Sequence, residues 1–157
     1  MKPSFSLLFA FAGLLFFAGC ETSKGGDDVP RVFLESRLGN MSDLEEMVVE
    51  TEIGDIVVPV SKMPILSEVD VARVDLVQVE LGKALAFTLR KRGELRLMQA
   101  SSGNMGGRLV ITIGGESIGI RRIDGPINDG VLFAFVNTPD DELPELVNRI
   151  NDSLKSL

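Results

Sequence analysis

The sequence predicts an α+β domain, an antiparallel sheet with helices packed on one face, preceded by a signal peptide and a disordered tether. Three observations carry this. From Arg108 to Val136 apolar residues alternate at period two and are broken by glycines where tight turns must fall. From Leu143 to Leu157 they recur at i, i+3, i+4 and i+7, the stripe of a helix with one buried side. Residues 1–30 show neither pattern, being first uniformly apolar and then polar.

Lys2 precedes an uncharged run from Phe5 to Gly19 that ends in small residues, which is the layout of a secretory signal peptide. Its apolar core, about 15 residues, falls short of the ~20 that a membrane-spanning helix needs. Residues 1–19 are therefore read as the signal peptide. Glu21 to Pro30 is polar and glycine-containing with nothing to bury, so residues 20–30 are read as a tether. Residues 31–157 form the folded domain.

Within it, Arg31 to Leu38 reads as a strand closed by Gly39-Asn40. Ser42 and Glu45 have the spacing of a helix capping box, but the β-branched residues that follow favour a hairpin of Met47–Ile53 and Ile56–Val60 about Gly54-Asp55. Pro59 cannot donate to a ladder and assigns the second arm to a sheet edge. Ala72–Glu80 and Lys83–Arg90 read as strands joined at Leu81-Gly82, with Leu85, Phe87 and Leu89 on one face. Lys91 to Ser101 reads as a helix whose core residues are Leu95, Leu97 and Met98, weakened by about 1 kcal/mol at Gly93.

Leu109, Ile111 and Ile113 then form the buried face of a strand, opposite Arg108, Val110 and Thr112. Gly114-Gly115 supplies a hairpin turn, and Ser117–Ile123 returns with Ile118 and Ile120 inward. Asp124-Gly125-Pro126 and Asn128-Asp129-Gly130 are turn signals. Val131–Val136, apolar on both faces, is placed inside the sheet. The last helix is capped by Asp141, which puts Pro144 in the first turn where no hydrogen bond is lost.

The residue inventory restricts the chemistry. With no His, Trp or Tyr and a single cysteine, Cys20, the chain cannot assemble a Ser-His-Asp or Cys-His system or a histidine zinc site, nor an intramolecular disulfide. The acidic residues at 27–28 read as solvated tether, and those at 140–142 as compensation of a helix dipole. Gly103–Gly107 feeds a strand, whereas a phosphate loop feeds a helix. No catalytic residue, cofactor or metal is expected, and the chain is not read as an enzyme. Its formal charge is −7; loss of residues 1–19 leaves 15 basic against 23 acidic side chains, or −8. Such a balance excludes nucleic acid as a partner.

Phe17-Ala18-Gly19-Cys20 resembles the bacterial lipobox. That resemblance implies cleavage before Cys20, a diacylated cysteine carrying fatty acid such as palmitate, and a lipoprotein held at the bacterial cell envelope facing the periplasm. Glu21 after the cysteine favours the outer over the inner membrane.

A second resemblance spans about residues 76–136. Phe87-Thr-Leu, Gly93, Leu97 and Asn104-Met-Gly-Gly-Arg-Leu109, followed by Val110-Ile-Thr-Ile-Gly-Gly-Glu-Ser-Ile118, Ile123-Asp-Gly-Pro-Ile127 and Gly130, resemble the head of the first periplasmic domain of SecD, a protein-export subunit. Gly114-Gly115 stands where that family has an Asp-Gly turn, and Gly119-Ile120-Arg121 replaces its Ser-Ala-Pro. The resemblance implies an α+β module and a link to secretion.

Two function classes follow. The first is a lipid-anchored module that docks on an envelope protein or export complex. Its contact surface is read as Arg121, Arg122, Asp124, Gly125 and Pro126, because a basic pair beside a turn offers planar forks to a carboxylate or phosphate. The alternative is a small-ligand-binding lipoprotein, which requires a buried apolar cleft above ~300 Å³.

Overall fold

The computed structural model describes residues 28–36, 43–51 and 53–157. Cys20 and residues 1–19, read above as a signal peptide, lie outside them. The strands are β1 (Pro30–Leu34), β2 (Leu44–Val49), β3 (Ile56–Ser61), β4 (Val71–Val79), β5 (Gly82–Leu89), β6 (Arg108–Ile113), β7 (Glu116–Arg122) and β8 (Val131–Ala134). The helices are α1 (Lys91–Gly103) and α2 (Leu143–Lys155). Every pairing is antiparallel, in the orders β1-β6-β7, β2-β3 and β4-β5-β8. A single bridge between Gly119 and Val136 joins the first and third groups. The α+β architecture is thus the expected one, with the sheet divided into three parts.

The fold begins earlier than expected. Residues 28–30, placed in the tether by composition, belong to it: the Asp28 amide donates to Ser153 Oγ at 3.1 Å, Arg149 Nε donates to the Asp28 carboxylate at 2.9 Å, and Pro30 opens β1 opposite Ile113. Composition misleads here because Asp28 and Val29 are tied by the elements that receive them, and Pro30 is buried only once β1 lies against β6.

Both helices pack on the main core. Leu97 of α1 and Leu143, Leu146, Ile150 and Leu154 of α2 join Leu85, Phe87, Leu109, Ile111 and Leu132. Val110, expected on the exposed face of its strand, is fully buried. It meets Phe33, Val49, Val58 and Val60 in a second core, beneath the β2–β3 hairpin. The expected hairpin therefore exists, beginning at Leu44, and its inner side covers β6. Pro59 sits opposite Glu46, its carbonyl accepting from the Ser36 amide at 2.9 Å.

Ile118 and Ile120 do not share a face. Ile111 pairs with Gly119 while Thr112 pairs with Ser117, so Ile118 is an extra residue in the ladder. Such a bulge breaks the alternation of side chains. Ile118 accordingly packs on the main core and Ile120 on the second. Gly114 and Gly115 both have positive φ (59° and 90°), as a two-residue hairpin loop demands.

Three local expectations give way to packing. Leu95 is exposed; the buried ridge of α1 is Gly93, Leu97 and Ser101, spaced by four. Val131–Val136 is covered on one face only, leaving Phe133 and Phe135 exposed. Glu142, not Asp141, is the cap of α2, and Leu157 lies exposed beyond that helix. Pro144 is in the first turn, as expected.

Gly93 is required, not merely tolerated. A β-carbon there would lie 2.8 Å from the Asp70 carbonyl oxygen and 3.0 Å from Asp70 Cβ. The short 3₁₀ turn Glu68–Asp70 can therefore lie against α1 only because residue 93 has no side chain. Asp70 is fully buried. Its carboxylate accepts from the Ser67 amide (3.1 Å) and hydroxyl (3.2 Å), Arg92 Nε (2.7 Å) and Arg96 Nη1 (3.2 Å). Burial by itself would raise the pKa, but the bonds from Ser67 and Arg92 outweigh it and hold the group below the ordinary aspartate value of 3.8.

Two predictions follow from this junction. Alanine normally exceeds glycine in a helix by about 1 kcal/mol, yet Gly93→Ala should lower the stability measured by urea unfolding by about 1–3 kcal/mol, the usual cost of overpacking. A gain would show that the turn and α1 separate freely. A carboxylate with a depressed pKa stabilises the fold above its unfolded value and loses that contribution as pH falls through the folded value. Melting temperature should therefore fall less steeply for Asp70→Asn than for the natural chain as pH drops below about 4. Equal slopes would show that Asp70 is not tied in the folded state as described.

Candidate interaction surface

The structure gathers the sequence-predicted residues at the end of β7. Arg121 is half-buried and donates from Nη1 to the Phe133 carbonyl at 2.6 Å, so one arginine braces β8 against β7. Arg122 projects into solvent and pairs with Asp124 at 3.4 Å, with both side chains more than 70% exposed (73% and 82%). An ion pair so exposed contributes on the order of 0–1 kcal/mol, leaving the Arg122 fork available to an incoming group. Pro126 is exposed. Gly125 has ordinary φ and open space around it, so the Asp124-Gly125-Pro126 segment does not depend on glycine; Gly130, with φ 74°, does use it.

Residues that the sequence reading missed complete the face. Ile120, Phe133, Ala134 and Phe135 join Arg121, Arg122 and Asp124 around a hollow of about 320 Å³. Phe133 is 37% and Phe135 44% exposed. The odd-numbered phenylalanines alternate with Leu132 and Ala134, which are buried. That alternation was the available signal, but two apolar faces gave no indication which one the rest of the chain would cover.

Gly119 sets how β7 and β8 meet. A β-carbon there would lie 2.6 Å from the Phe135 carbonyl oxygen. The close approach lets the Asn137 amide donate to the Ile118 carbonyl at 2.8 Å. Beyond that point the strands part, and the space between them is bridged by the Arg121 side chain in place of a ladder.

A hollow of about 490 Å³ lies elsewhere, between β1 and the end of α1. Its lining includes Glu35, Ser36, Ser61 and Asn104, with Met63 and Met105 well exposed, so it is an open, mixed groove and not the buried apolar cleft that small-ligand binding would need. Among the described residues no group of three or more His, Cys, Asp or Glu side chains could hold a metal ion, and no helix is long and apolar enough to cross a membrane.

An antiparallel module of this kind, helices on the main face and a hairpin covering part of the other, is an α+β domain whose fold recurs in solved structures. The particular likeness is to SecDF. One SecDF structure, described as a membrane component that enhances protein export, superposes with a TM-score of 0.57 at 15% identity over 83% of this chain and 63% of its own. SecDF in its super-membrane-facing form matches with a TM-score of 0.57 at 18% identity over 83% of this chain and 19% of its own. The chain thus spans less than two thirds of either SecDF chain. No protein-family profile and no curated protein sequence matches it. The resemblance read from residues 76–136 is a likeness of fold over most of the chain.

Gly119→Ala should push β8 away from β7 at a cost of about 1–3 kcal/mol. The Asn137 amide should then exchange its hydrogen with solvent measurably faster. Unchanged exchange there would mean that the two strands do not depend on this contact.

Proposed function

We propose that the chain is a lipid-anchored interaction module of the bacterial cell envelope, linked to protein export. Its anchor is Cys20, and its contact face is Arg121, Arg122, Asp124, Gly125 and Pro126 together with Phe133 and Phe135. The observation that carries the reading is the coincidence of exposed aromatic rings and an available guanidinium on a fold shared with an export-enhancing membrane component. Aromatic residues and arginine are the side chains most enriched where proteins bind one another. In a chain of net charge −7, the basic pair favours an acidic and apolar patch on the partner.

The lipobox-like sequence supports the anchor, since two or more acyl chains hold a protein at a bilayer where one does not. A periplasmic location, with the outer membrane favoured by Glu21, belongs to the same reading.

The reading is tested by fractionation and crosslinking in cells. Cys20→Ser should release the protein from membranes or leave it as uncleaved precursor. The paired substitutions Arg121→Ala and Arg122→Ala, in protein that melts like the natural chain, should reduce recovery of the crosslinked partner by about tenfold, the equivalent of 1.4 kcal/mol. Membrane-bound Cys20→Ser protein would remove the anchor from the reading, and full partner recovery would remove the arginines.

A further inference from the structure

The folded chain meets its tether at one end of the sheet. Asp28 is held by Arg149 at 2.9 Å and by Ser153 at 3.1 Å, at the middle and in the C-terminal part of α2. The Val29 carbonyl accepts from the Gly114 amide at 3.2 Å. Pro30 is paired with Ile113, next to the Gly114-Gly115 turn where β6 ends and β7 begins. The start of the fold, the β6–β7 turn and the end of α2 therefore form one pole.

The Arg121–Arg122 end of the contact face lies toward the other pole, with Phe135 beside Gly119 midway along β7. β7 runs from Glu116 beside the turn to Arg122, seven residues. At about 3.3 Å per residue this strand carries Arg122 about 20 Å from the attachment end. Arg122 is paired with Arg108, the first residue of β6, which fixes it at the far edge.

We propose that the pole formed by Asp28, the Gly114-Gly115 turn and the last turn of α2 is the face that the domain turns to the bilayer, presenting the Arg121–Phe135 face away from it. The inference rests on the lipid anchor at Cys20. Seven residues, Glu21–Asp27, separate Cys20 from Asp28, and drawn out fully they span at most about 28 Å. Bringing the far pole to the lipid would require most of that length to run alongside the 20 Å of β7. Every less extended arrangement leaves the attachment pole nearest the membrane, so the short covalent link selects the orientation. The charges of this pole pair among themselves, Arg149 with Asp28 and Glu145, and Lys155 with Asp152. Attraction to anionic headgroups is therefore not what orients it.

The test uses the full chain produced in bacteria, with an azido amino acid at Glu116, Ser156, Asp124 or Pro126, all exposed. Each is coupled to a fluorophore, and the membrane-associated protein is placed in phosphatidylcholine nanodiscs with or without a quencher on the lipid headgroup. The labels at 116 and 156 should lose most of their emission to the quencher, and those at 124 and 126 should keep theirs. A linker of about 20 Gly and Ser residues inserted after Asp27 should abolish the difference, because the added reach exceeds the length of the domain. Equal quenching at all four positions in membrane-bound protein would overturn the orientation while leaving the anchor standing. Protein that does not associate with membranes at all would overturn both.

Discussion

The burial of β6 on both faces is the constraint on which the architecture depends. A strand with Leu109, Ile111 and Ile113 on one side and Val110 on the other cannot be left half open to water, since each exposed aliphatic side chain forfeits about 1.5–3 kcal/mol. The helices cover the first side and the β2–β3 hairpin covers the second. β1 and β7 flank it, and isolated bridges link this group to the others, Glu35 with Val60 and Gly119 with Val136. The Arg108–Glu35 pair, with two contacts of 2.7 and 3.1 Å and Glu35 almost wholly buried, closes the end at which β6 begins.

Serving two cores places conflicting demands on β7, and the bulge at Ile118 resolves them. Without the extra residue, Ile118 and Ile120 would point to the same side and one core would lose its wall. With it, the strand bends and approaches β8 over only one bridge, at Gly119. The divergence beyond that bridge leaves Arg121 to span the opening.

Local chemistry was legible where residue type alone decides geometry. Gly114-Gly115 announced its hairpin, the β-branched residues around Gly54 announced theirs, and the stripe from Leu143 to Leu154 announced α2. What could not be read was which neighbour would cover a face. Val110 and Phe133 are both apolar residues on apolar strands, yet one is fully buried by a hairpin far earlier in the chain and the other stays 37% exposed. Gly93 was legible only as a weak point of a helix, because its purpose depends on Asp70, a residue on a different element. The same holds for the candidate surface: Arg121 and Arg122 stood out as charge, but their different duties follow from where β8 passes.

The pairing of β1 with β6 also has a temporal side. Arg31 and Thr112, opposite one another in the ladder, are 81 residues apart in the chain. Contacts at such separation form late, because the entropy of closing the intervening loop must be lost before any pairing compensates for it. The β4–β5 and β6–β7 hairpins can close by themselves, whereas the first strand to be synthesised must wait for one of the last to arrive. A chain arranged in this way cannot complete its fold while its C-terminal half is still missing.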